Sequence, residues 1–353
     1  MAKKSQKSVV IADVFESDLF NNAAFMGGGQ KMILKFYELL KDKYEISIIG
    51  SQKFFIKKAQ DLGIKVYDAY AQSDDEVFEK YKSFFKKLLK KDLVIVNNQF
   101  SYIGHPNMLY WVHADYFSFC SEQEIKAWTE SLKDERVKGA VFVSEPLKKR
   151  FESTVPAEKS FVIPNWIEKV YESPKAYDPD NFRVVWVGTL NPDKNWQELS
   201  HALKGEPVDV DFLGEGQDLL FAQEMVEVKP KFFGRQNFLG FVDNPVEYMR
   251  ERSSVFVFTS VAKYESFGLA LLEAMSVGIP CIAKDSLITR YVLGDGGLFY
   301  DTAAKLKDII FRLKADKTLY EEKAHYSLER AKLFHKDLVK ERWIELIDSI
   351  TKK

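Results

Sequence analysis

The chain has 353 residues, which exceeds the size at which one hydrophobic core usually stops growing, so we expect two domains. A formal net charge of -1 and a pI near 6.6 argue against a nucleic-acid-binding protein, whose domains are usually strongly basic. No apolar stretch reaches the roughly 18 residues of a membrane span, and the N-terminal residues lack the apolar stretch of a signal peptide. We therefore expect a cytoplasmic protein, peripheral at most on the inner membrane face.

Short apolar runs alternate with helix-like segments along both halves of the chain. In the first half these runs cover residues 9–11, 46–49, 64–67, 93–96, 109–112, 140–143 and 161–163. After the proline-containing segment 172–182 they recur at 184–187, 208–213, 238–242, 255–258, 280–283 and 298–300. This alternation is typical of parallel sheets that helices cover on both faces. We predict two Rossmann-like α/β domains, residues 1–175 and 176–335, with a cleft between their sheet edges.

The charged tail after residue 317 carries an apolar stripe at helical spacing. The stripe consists of Leu338, Trp343, Leu346, Ile347 and Ile350. Because such a stripe must be covered by a core, we predict a final helix over about residues 336–353 that crosses back onto the first domain.

Three consecutive glycines, Gly27, Gly28 and Gly29, follow the first strand and open a helix. Without Cβ atoms, an anion can approach the backbone beside a helix N-terminus. The segment has neither the GxGxxG spacing of dinucleotide-binding proteins nor the Lys-Ser/Thr of a P-loop. It is compatible with an anion site and equally with a simple tight turn.

Two polar residues follow apolar runs at the predicted carboxyl edges of the sheets. Lys194 lies in the loop after residues 184–187, where a lysine can neutralise a diphosphate as a point charge. A solvated surface lysine is the alternative. His113 directly follows residues 109–112 and is either a hydrogen-bonding group for substrate hydroxyls or an ordinary histidine at a strand end.

Paired aspartates of the Asp-x-Asp type often hold the metal of glycosyl- and phosphoryl-transfer enzymes. Here Asp178 and Asp180 lie in the connection between domains, and Asp209 and Asp211 lie on a predicted strand. Neither pair is at a cleft edge, so we expect no metal site.

Segment 81–91 has apolar residues at helical spacing with lysines between them. Such a helix can rest on an anionic membrane surface. A helix that covers a sheet needs the same apolar face, and this second interpretation is the simpler one.

Residues 254–276 predict a strand, a loop and an apolar helix, with Glu265 and Glu273 eight positions apart. The backbone N–H groups of residues 266–269 would lie at the helix N-terminus, where a phosphate is favoured. Measured along a helix at about 1.5 Å per residue, the two glutamates are about 12 Å apart. An extended nucleotide-sugar spans that distance, whereas a single small sugar does not.

Taken together, these motifs resemble those of the retaining nucleotide-sugar glycosyltransferases of family 4, which have the two-domain GT-B fold. The specific match is Glu265 to Glu273 within Glu-x-Phe-Gly-Leu-x-x-x-Glu-Ala-Met, followed by Gly-Ile-Pro at 278–280. Supporting matches are the three glycines at 27–29 and the segments 143–145, 162–165, 212–216 and 240–242.

The resemblance implies a donor site for a UDP- or GDP-sugar. By motif, Glu265 touches donor-sugar hydroxyls or the reacting face, Glu273 touches the ribose, and Lys194 holds the diphosphate. The implied catalytic residues are Glu265, His113 and Lys194. The implied donor-binding residues are Gly28, Gly29, Thr189, Lys194, Gly214, Val242, Ser266, Phe267, Gly268, Leu269 and Glu273.

Family members work without a metal or other cofactor and transfer the sugar by a front-face process with retention. The implied partners are the donor and a glycan, lipid-linked or protein acceptor. One departure is Thr189, where the family usually has an arginine for the leaving diphosphate. Arg290 and Lys263 are candidate substitutes.

Two other functions remain open at this point. The missing arginine is compatible with a catalytically weak glycosyltransferase-like binding protein. A sugar-nucleotide epimerase or phosphorylase on a similar scaffold is the other alternative.

Overall fold

The computed structural model describes residues 6–14, 26–97, 104–224, 234–261, 263 and 265–352. The chain divides into two compact units. Unit 1 comprises Met1–Asn165 and Asp337–Lys353, and unit 2 comprises Trp166–Lys336.

The boundary between the units lies about ten residues before the one that we placed at 175/176. Residues 166–175 belong to unit 2 because their backbone is hydrogen-bonded to it. The N–H groups of Ile167, Tyr171 and Lys175 donate to carbonyl oxygens of unit 2 at 3.0, 2.9 and 2.8 Å. The prolines of the connecting segment therefore lie within unit 2 and not between the units.

Unit 1 is a parallel α/β structure. In chain order its elements are β1 (Ser8–Asp13), α1 (Gly28–Leu40), β2 (Glu45–Gly50), α2 (Lys53–Asp61), β3 (Lys65–Asp68), α3 (Asp74–Ser83), α4 (Phe85–Leu88), β4 (Leu93–Asn97), β5 (Met108–Val112), α5 (Glu122–Leu132), β6 (Val137–Phe142), α6 (Glu145–Arg150) and β7 (Ser160–Val162). Within the described ranges the strands form one sheet in the order β3-β2-β1-β4-β5-β6-β7, and every pair is parallel. Strands β1, β4 and β5 are buried along their whole length, as expected for a sheet with helices on both faces.

Unit 2 repeats this plan. Its elements are β8 (Arg183–Val187), α7 (Trp196–Ala202), β9 (Asp209–Leu213), α8 (Leu219–Glu224), β10 (Gln236–Phe238), α9 (Pro245–Arg252), β11 (Val255–Phe258), α10 (Leu269–Ser276), β12 (Cys281–Lys284), α11 (Leu287–Leu293), β13 (Leu298–Tyr300), α12 (Ala303–Ala315) and α13 (Lys317–Lys332). Among the described residues the strand order is β10-β9-β8-β11-β12-β13, again all parallel. The predicted fold class, two Rossmann-like α/β halves, is therefore present.

A last helix, α14 (Lys336–Ile350), supplies the C-terminal part of unit 1. Trp343 is fully buried, and its ring meets those of Phe36 and Trp111 edge-on at 5.0 Å each. At the far end of the helix, the Asp348 carboxylate accepts hydrogen bonds from the Lys7 ammonium at 2.9 Å and the Tyr44 hydroxyl at 3.1 Å.

The buried face of α14 differs from the predicted stripe at two positions, Leu338 and Ile350, of which Ile350 is half-buried. Leu338 is 53% exposed, and its neighbour Val339 is buried instead. Residues three or four apart share one face of a helix. Val339 is four residues before Trp343 and shares its face, whereas Leu338 is five residues before Trp343 and does not.

The predicted basic helix at residues 81–91 is two short helices, α3 and α4, with Phe84 between them. Its apolar residues Tyr81 and Leu88 are buried in unit 1, each 1% exposed. Burial of these two side chains accounts for part of the apolar spacing of this segment, whereas Leu89 is 43% exposed. None of the helices in the described ranges has the length and apolarity that crossing a membrane requires.

We expect Trp343→Ala to lower the free energy of unfolding of unit 1 by about 3–5 kcal/mol, because it removes a fully buried indole between two aromatic rings. Leu338→Ala on the same helix is the matched control and should change it by less than about 0.5 kcal/mol. Urea denaturation followed by circular dichroism measures both. Equal losses for the two variants would mean that α14 does not dock through Trp343.

Candidate functional site

The sheet of unit 2 has its topological switch point between β8 and β11. The chain leaves β8 toward β9 on one side, whereas β11 leads to β12 on the other. At such a point the connections diverge at the carboxyl ends of the strands, and open parallel sheets bind ligands there. The loops that follow β8 and β11 therefore define the candidate site.

Lys194 and Glu265, which lie on these two loops, form an ion pair. The Lys194 ammonium is 2.9 Å from a carboxylate oxygen of Glu265, although 71 residues separate them in sequence. Their side chains are 30% and 11% exposed, so the pair is accessible chiefly from the side of the lysine. The structure thus brings together two of the three predicted catalytic residues.

The local backbone explains why Lys194 points toward Glu265. Lys194 ends a short 3-10 helix (Pro192–Lys194), and the Asn191 side chain accepts a hydrogen bond from the Lys194 N–H at 3.1 Å. The next residue, Asn195, has a positive φ of 48°. This left-handed residue ends the turn, and α7 begins immediately afterwards.

Two opposing effects set the charge state of Glu265. Burial raises the pKa of its carboxyl group, but the Lys194 ammonium and the N–H groups of Phe267 and Ser266 outweigh burial and lower the pKa below the ordinary value. The Phe267 N–H donates to a carboxylate oxygen at 3.4 Å. Glu265 is therefore ionised at neutral pH and serves as a hydrogen-bond acceptor.

Helix α10 begins at Leu269, directly after Gly268, whose φ is 91°. A side chain at Gly268 would be strained, and its Cβ would also lie 3.2 Å from the Phe258 ring. Phe267 is 1% exposed and packs edge-on against Phe334 at 5.6 Å, so only its backbone can face a ligand. The first-turn N–H groups of α10 have no partner inside the helix and are available to an anion.

The position of α10 corrects one expectation about Glu273. Our distance of about 12 Å assumed a helix that runs from Glu265, whereas α10 begins four residues later. Glu273 lies about 6 Å along the axis from Leu269 at 1.5 Å per residue, and its side chain is half-buried. The separation of the two carboxylates is thus set partly by the loop and not by helix rise alone.

Gly214 allows the end of β9 to approach Gly188 at the end of β8. Gly214 has a φ of 144°, and a Cβ there would lie 1.8 Å from the Gly188 carbonyl oxygen. The Gly188 N–H donates to the Leu213 carbonyl at 3.0 Å, and the Gly214 N–H donates to the Gly240 carbonyl at 2.8 Å. Gly214 therefore shapes the carboxyl edge of the sheet.

The remaining predicted residues of unit 2 also lie in loops at this edge. Thr189 is exposed directly after β8, and Val242 is half-buried in the loop after β10. Of the two candidate substitutes for the missing arginine, Arg290 forms a bidentate ion pair with Asp285 at 2.6 and 2.7 Å. Lys263 is exposed. The described cation that faces Glu265 is Lys194.

In unit 1, His113 directly follows β5 and is 8% exposed. Its ring packs on Trp111 with the centroids 4.5 Å apart. Burial lowers the pKa of His113 to about 3, so the imidazole is neutral at physiological pH. A neutral ring can exchange hydrogen bonds with hydroxyl groups but is a weak base.

The glycine turn, residues 27–29, leads into α1 in unit 1. Gly28 and Gly29 are its first two helical residues, and Gly27 and Gly28 are exposed. The Gly27 N–H donates to the Gln30 side-chain oxygen at 3.2 Å. The turn therefore presents the first backbone N–H groups of α1 to its exposed side.

A cluster that our sequence analysis missed lies behind this turn, at the switch point of unit 1 between β1 and β4. The Asp13 carboxylate accepts hydrogen bonds from the amide groups of Gln30 at 2.9 Å and Asn97 at 2.7 Å. Burial raises the pKa of Asp13 to about 6, although the two amides act in the opposite direction. An acidic residue at the end of an otherwise apolar strand was the available sequence signal.

Within the parts of the chain that the structure describes, no group of three or more His, Cys, Asp or Glu side chains is arranged to hold a metal ion. The predicted absence of a metal requirement stays a prediction.

Part of the chain is similar in sequence to known proteins. Residues 170–332 match the family described as glycosyl transferases group 1. A 128-residue stretch is 32% identical to the O-antigen chain mannosyltransferase B of Escherichia coli and covers 33% of this chain and 32% of that protein. A 172-residue stretch is 27% identical to the phosphatidyl-myo-inositol mannosyltransferase of Mycolicibacterium smegmatis and covers 46% of this chain and 43% of that protein. The matched stretches thus span less than half of either relative.

Solved structures match over nearly the whole chain. HepE of Anabaena in complex with UDP has a TM-score of 0.79 at 17% identity, with 97% of this chain and all of that chain covered. Sucrose-phosphate synthase of Thermosynechococcus elongatus has a TM-score of 0.76 at 16% identity, with 98% and 99% covered. At these identities the likeness shows the fold, and it confirms the predicted GT-B class.

We expect Gly214→Ala to lower the free energy of unfolding by about 3 kcal/mol or more, because the new Cβ combines backbone strain with a clash against the Gly188 carbonyl. Gly205→Ala is the matched control, since Gly205 also has a positive φ, 81°, but no atom lies within 4 Å of the place that its Cβ would take. That variant should lose about 1–2 kcal/mol. Thermal unfolding of the two variants measures the difference. Equal decreases in melting temperature would show that the close approach of β8 and β9 is not required for stability.

Proposed function

We propose that this chain, whose residues 170–332 match the glycosyl transferases of group 1, transfers a sugar from a nucleoside-diphosphate-sugar to a glycan or lipid-linked acceptor. The observation that carries the proposal is the Lys194–Glu265 pair at the switch point of unit 2. The start of α10 follows Glu265 by four residues, so a cation, an acceptor and helix N–H groups come from neighbouring loops.

Each member of this group has a role that its charge supports. Lys194 would bind the diphosphate, together with the N–H groups at the start of α10. Glu265, which is ionised, would accept hydrogen bonds from hydroxyls of the donor sugar. Glu273 on α10 would bind the ribose hydroxyls, and Val242 and Gly214 would line the nucleoside end.

We further propose a front-face reaction with retention. The bond between the anomeric carbon and the diphosphate oxygen breaks, the acceptor oxygen bonds to that carbon from the same face, and its proton passes to the leaving diphosphate. The low pKa of Glu265 supports this assignment because a stabilised carboxylate is a poor base. His113, with its pKa lowered to about 3, is also a poor base and would serve as a hydrogen-bonding group for the sugar.

The comparisons favour two donor types. HepE was solved with UDP and with UDP-glucose, whereas the two curated relatives are named as mannosyltransferases. We propose a UDP- or GDP-sugar as donor, with no metal or other cofactor, and a cytoplasmic site of action. The names of the relatives, which refer to an O-antigen chain and to phosphatidyl-myo-inositol, support a glycan or lipid-linked acceptor over a protein.

A catalytically weak binding protein is the alternative that a specific observation favours, because Thr189 is exposed where the family usually has an arginine. The test is incubation of the protein with UDP-glucose and GDP-mannose, with and without acceptor glycans, followed by assay of released nucleoside diphosphate and of product anomers. Turnover with retained configuration supports the proposal. Binding without turnover supports the alternative, and an altered sugar without an acceptor indicates an epimerase.

We expect substitutions of the ion pair to have different effects on nucleotide binding. Lys194→Ala should weaken UDP or GDP binding by about 10- to 100-fold, because it removes the charge that faces the diphosphate. Glu265→Gln should leave that binding equal or tighter, since it frees Lys194, while kcat/KM falls about 100-fold.

Calorimetry and initial rates measure these effects, and Glu251→Gln on the exposed face of α9 is the control that should match the wild type. Wild-type transfer by Glu265→Gln would remove Glu265 from the mechanism.

We also propose weak electrostatic contact between segment 81–91 and an anionic membrane surface. Lys86, Lys87 and Lys90 are exposed there. Replacing all three with glutamine should lower partitioning to anionic vesicles by about fivefold per lysine. Co-sedimentation with phosphatidylglycerol and phosphatidylcholine vesicles tests this, with the exposed lysines 305, 317 and 332 of unit 2 replaced as the control. Equal sedimentation with both lipids would contradict it.

A further inference from the structure

The main chain of Lys194 is held by a hydrogen bond that comes from the opposite strand of the switch point. The Thr259 hydroxyl donates to the Lys194 carbonyl oxygen at 2.6 Å. Thr259 directly follows β11 and is completely buried. The loop after β8 is therefore fastened to the end of β11, the strand that leads to Glu265.

The direction of this hydrogen bond is fixed by a second one. The indole N–H of Trp186 donates to the same Thr259 hydroxyl oxygen at 2.8 Å. Because an indole N–H can only donate, the hydroxyl must accept from Trp186, and its own proton remains for the Lys194 carbonyl. Trp186 thus donates to Thr259, and Thr259 donates to Lys194, in a chain of two hydrogen bonds across the switch point. We call this chain the Trp186–Thr259–Lys194 relay.

Trp186 is itself rigidly placed. It lies on β8 and is 2% exposed, and its ring approaches Gly188 so closely that a Cβ there would lie 2.9 Å from the indole. Its ring also packs against Phe212 at 5.9 Å between centroids. The relay therefore starts from a side chain that the core of unit 2 holds in one orientation.

A separate network fixes the residue after Lys194. The Asn195 side chain donates to the Glu198 carboxylate at 2.7 Å. The same carboxylate group accepts from the Lys284 ammonium at 2.6 Å and the Tyr300 hydroxyl at 3.3 Å. Asn195 is held in this way on one side of the peptide bond that follows Lys194. The hydrogen bond from Thr259 to the Lys194 carbonyl oxygen then fixes the orientation of that peptide group.

We propose that Thr259 and Trp186 are positioning residues that align the Lys194 ammonium with Glu265 and with the donor diphosphate. The alignment of Lys194 with the donor diphosphate rests on the proposed function, whereas its alignment with Glu265 is a property of the free protein. Both residues are buried, with Thr259 0% and Trp186 2% exposed, and act through Lys194.

The ligand-free test uses NMR titration of glutamate side chains labelled with carbon-13, with Glu265→Gln to assign the signal. Thr259→Val keeps the shape of the side chain and removes the hydroxyl. It should raise the pKa of Glu265, because the lysine that opposes the effect of burial moves away. Thr259→Ser restores the hydroxyl and should restore the low pKa, and Trp186→Phe should give an intermediate increase.

Ser254→Ala is the matched control. Ser254 lies at the amino end of β11, is 4% exposed, and its hydroxyl oxygen accepts from the Arg183 N–H at 3.1 Å. This variant also removes a buried hydroxyl next to β11, but from the opposite edge of the sheet. Ser254→Ala should therefore lower thermal stability about as much as Thr259→Val does, and it should leave the pKa of Glu265 unchanged.

With UDP-glucose or GDP-mannose as donor, Thr259→Val should lower kcat/KM about fivefold or more relative to Ser254→Ala, and Thr259→Ser should recover most of it. An unchanged Glu265 pKa in Thr259→Val, or equal kinetics of Thr259→Val and Ser254→Ala, would overturn the positioning role. A shifted pKa in a protein whose wild type binds neither nucleotide would preserve the alignment with Glu265 and overturn the proposed function instead.

Discussion

The candidate site depends on keeping a carboxylate ionised in a place where burial opposes its charge. Glu265 is largely removed from solvent, and burial by itself raises the pKa of its carboxyl group. The Lys194 ammonium at 2.9 Å and the backbone N–H groups that follow Glu265 reverse that tendency. The energy of such a pair depends steeply on geometry, because a small displacement in a partly buried site loses attraction without restoring hydration. The surrounding structure must therefore fix both loops.

The parallel sheet of unit 2 provides that geometry. Its strands all end at one edge, so residues that are 71 positions apart in sequence can meet after β8 and β11. Gly214 lets the ends of β8 and β9 approach to a distance that a Cβ at this position would prevent. Lys194 is then held at its N–H by Asn191 and at its carbonyl by Thr259, which leaves its side chain as the main remaining freedom.

Sequence patterns predicted the parts of this arrangement that depend on periodicity. Apolar runs located the strands, and the Glu265–Glu273 motif located the loop and helix at the switch point. Patterns of this kind do not determine where a helix begins within a loop, which is why α10 starts at Leu269 and not near Glu265. They also placed Leu338 in the buried stripe of α14, where Val339 lies instead, since both residues are apolar and only packing decides which of the two faces the core. The hydrogen bonds of Thr259 and Asp13 depend on contacts between distant strands, and a single sequence carries no direct record of such contacts.

The two switch points surround a buried acid with different partners. In unit 1, Asp13 is held by the neutral amides of Gln30 and Asn97, and burial raises its pKa to about 6. In unit 2, the acid is held by a cation, and its pKa is lowered. A phosphate near Lys194 would face the ammonium group that also pairs with Glu265. A phosphate near Asp13 would face an acid whose described hydrogen-bond partners are neutral amides. The electrostatics of the described residues therefore support the diphosphate site that we propose in unit 2.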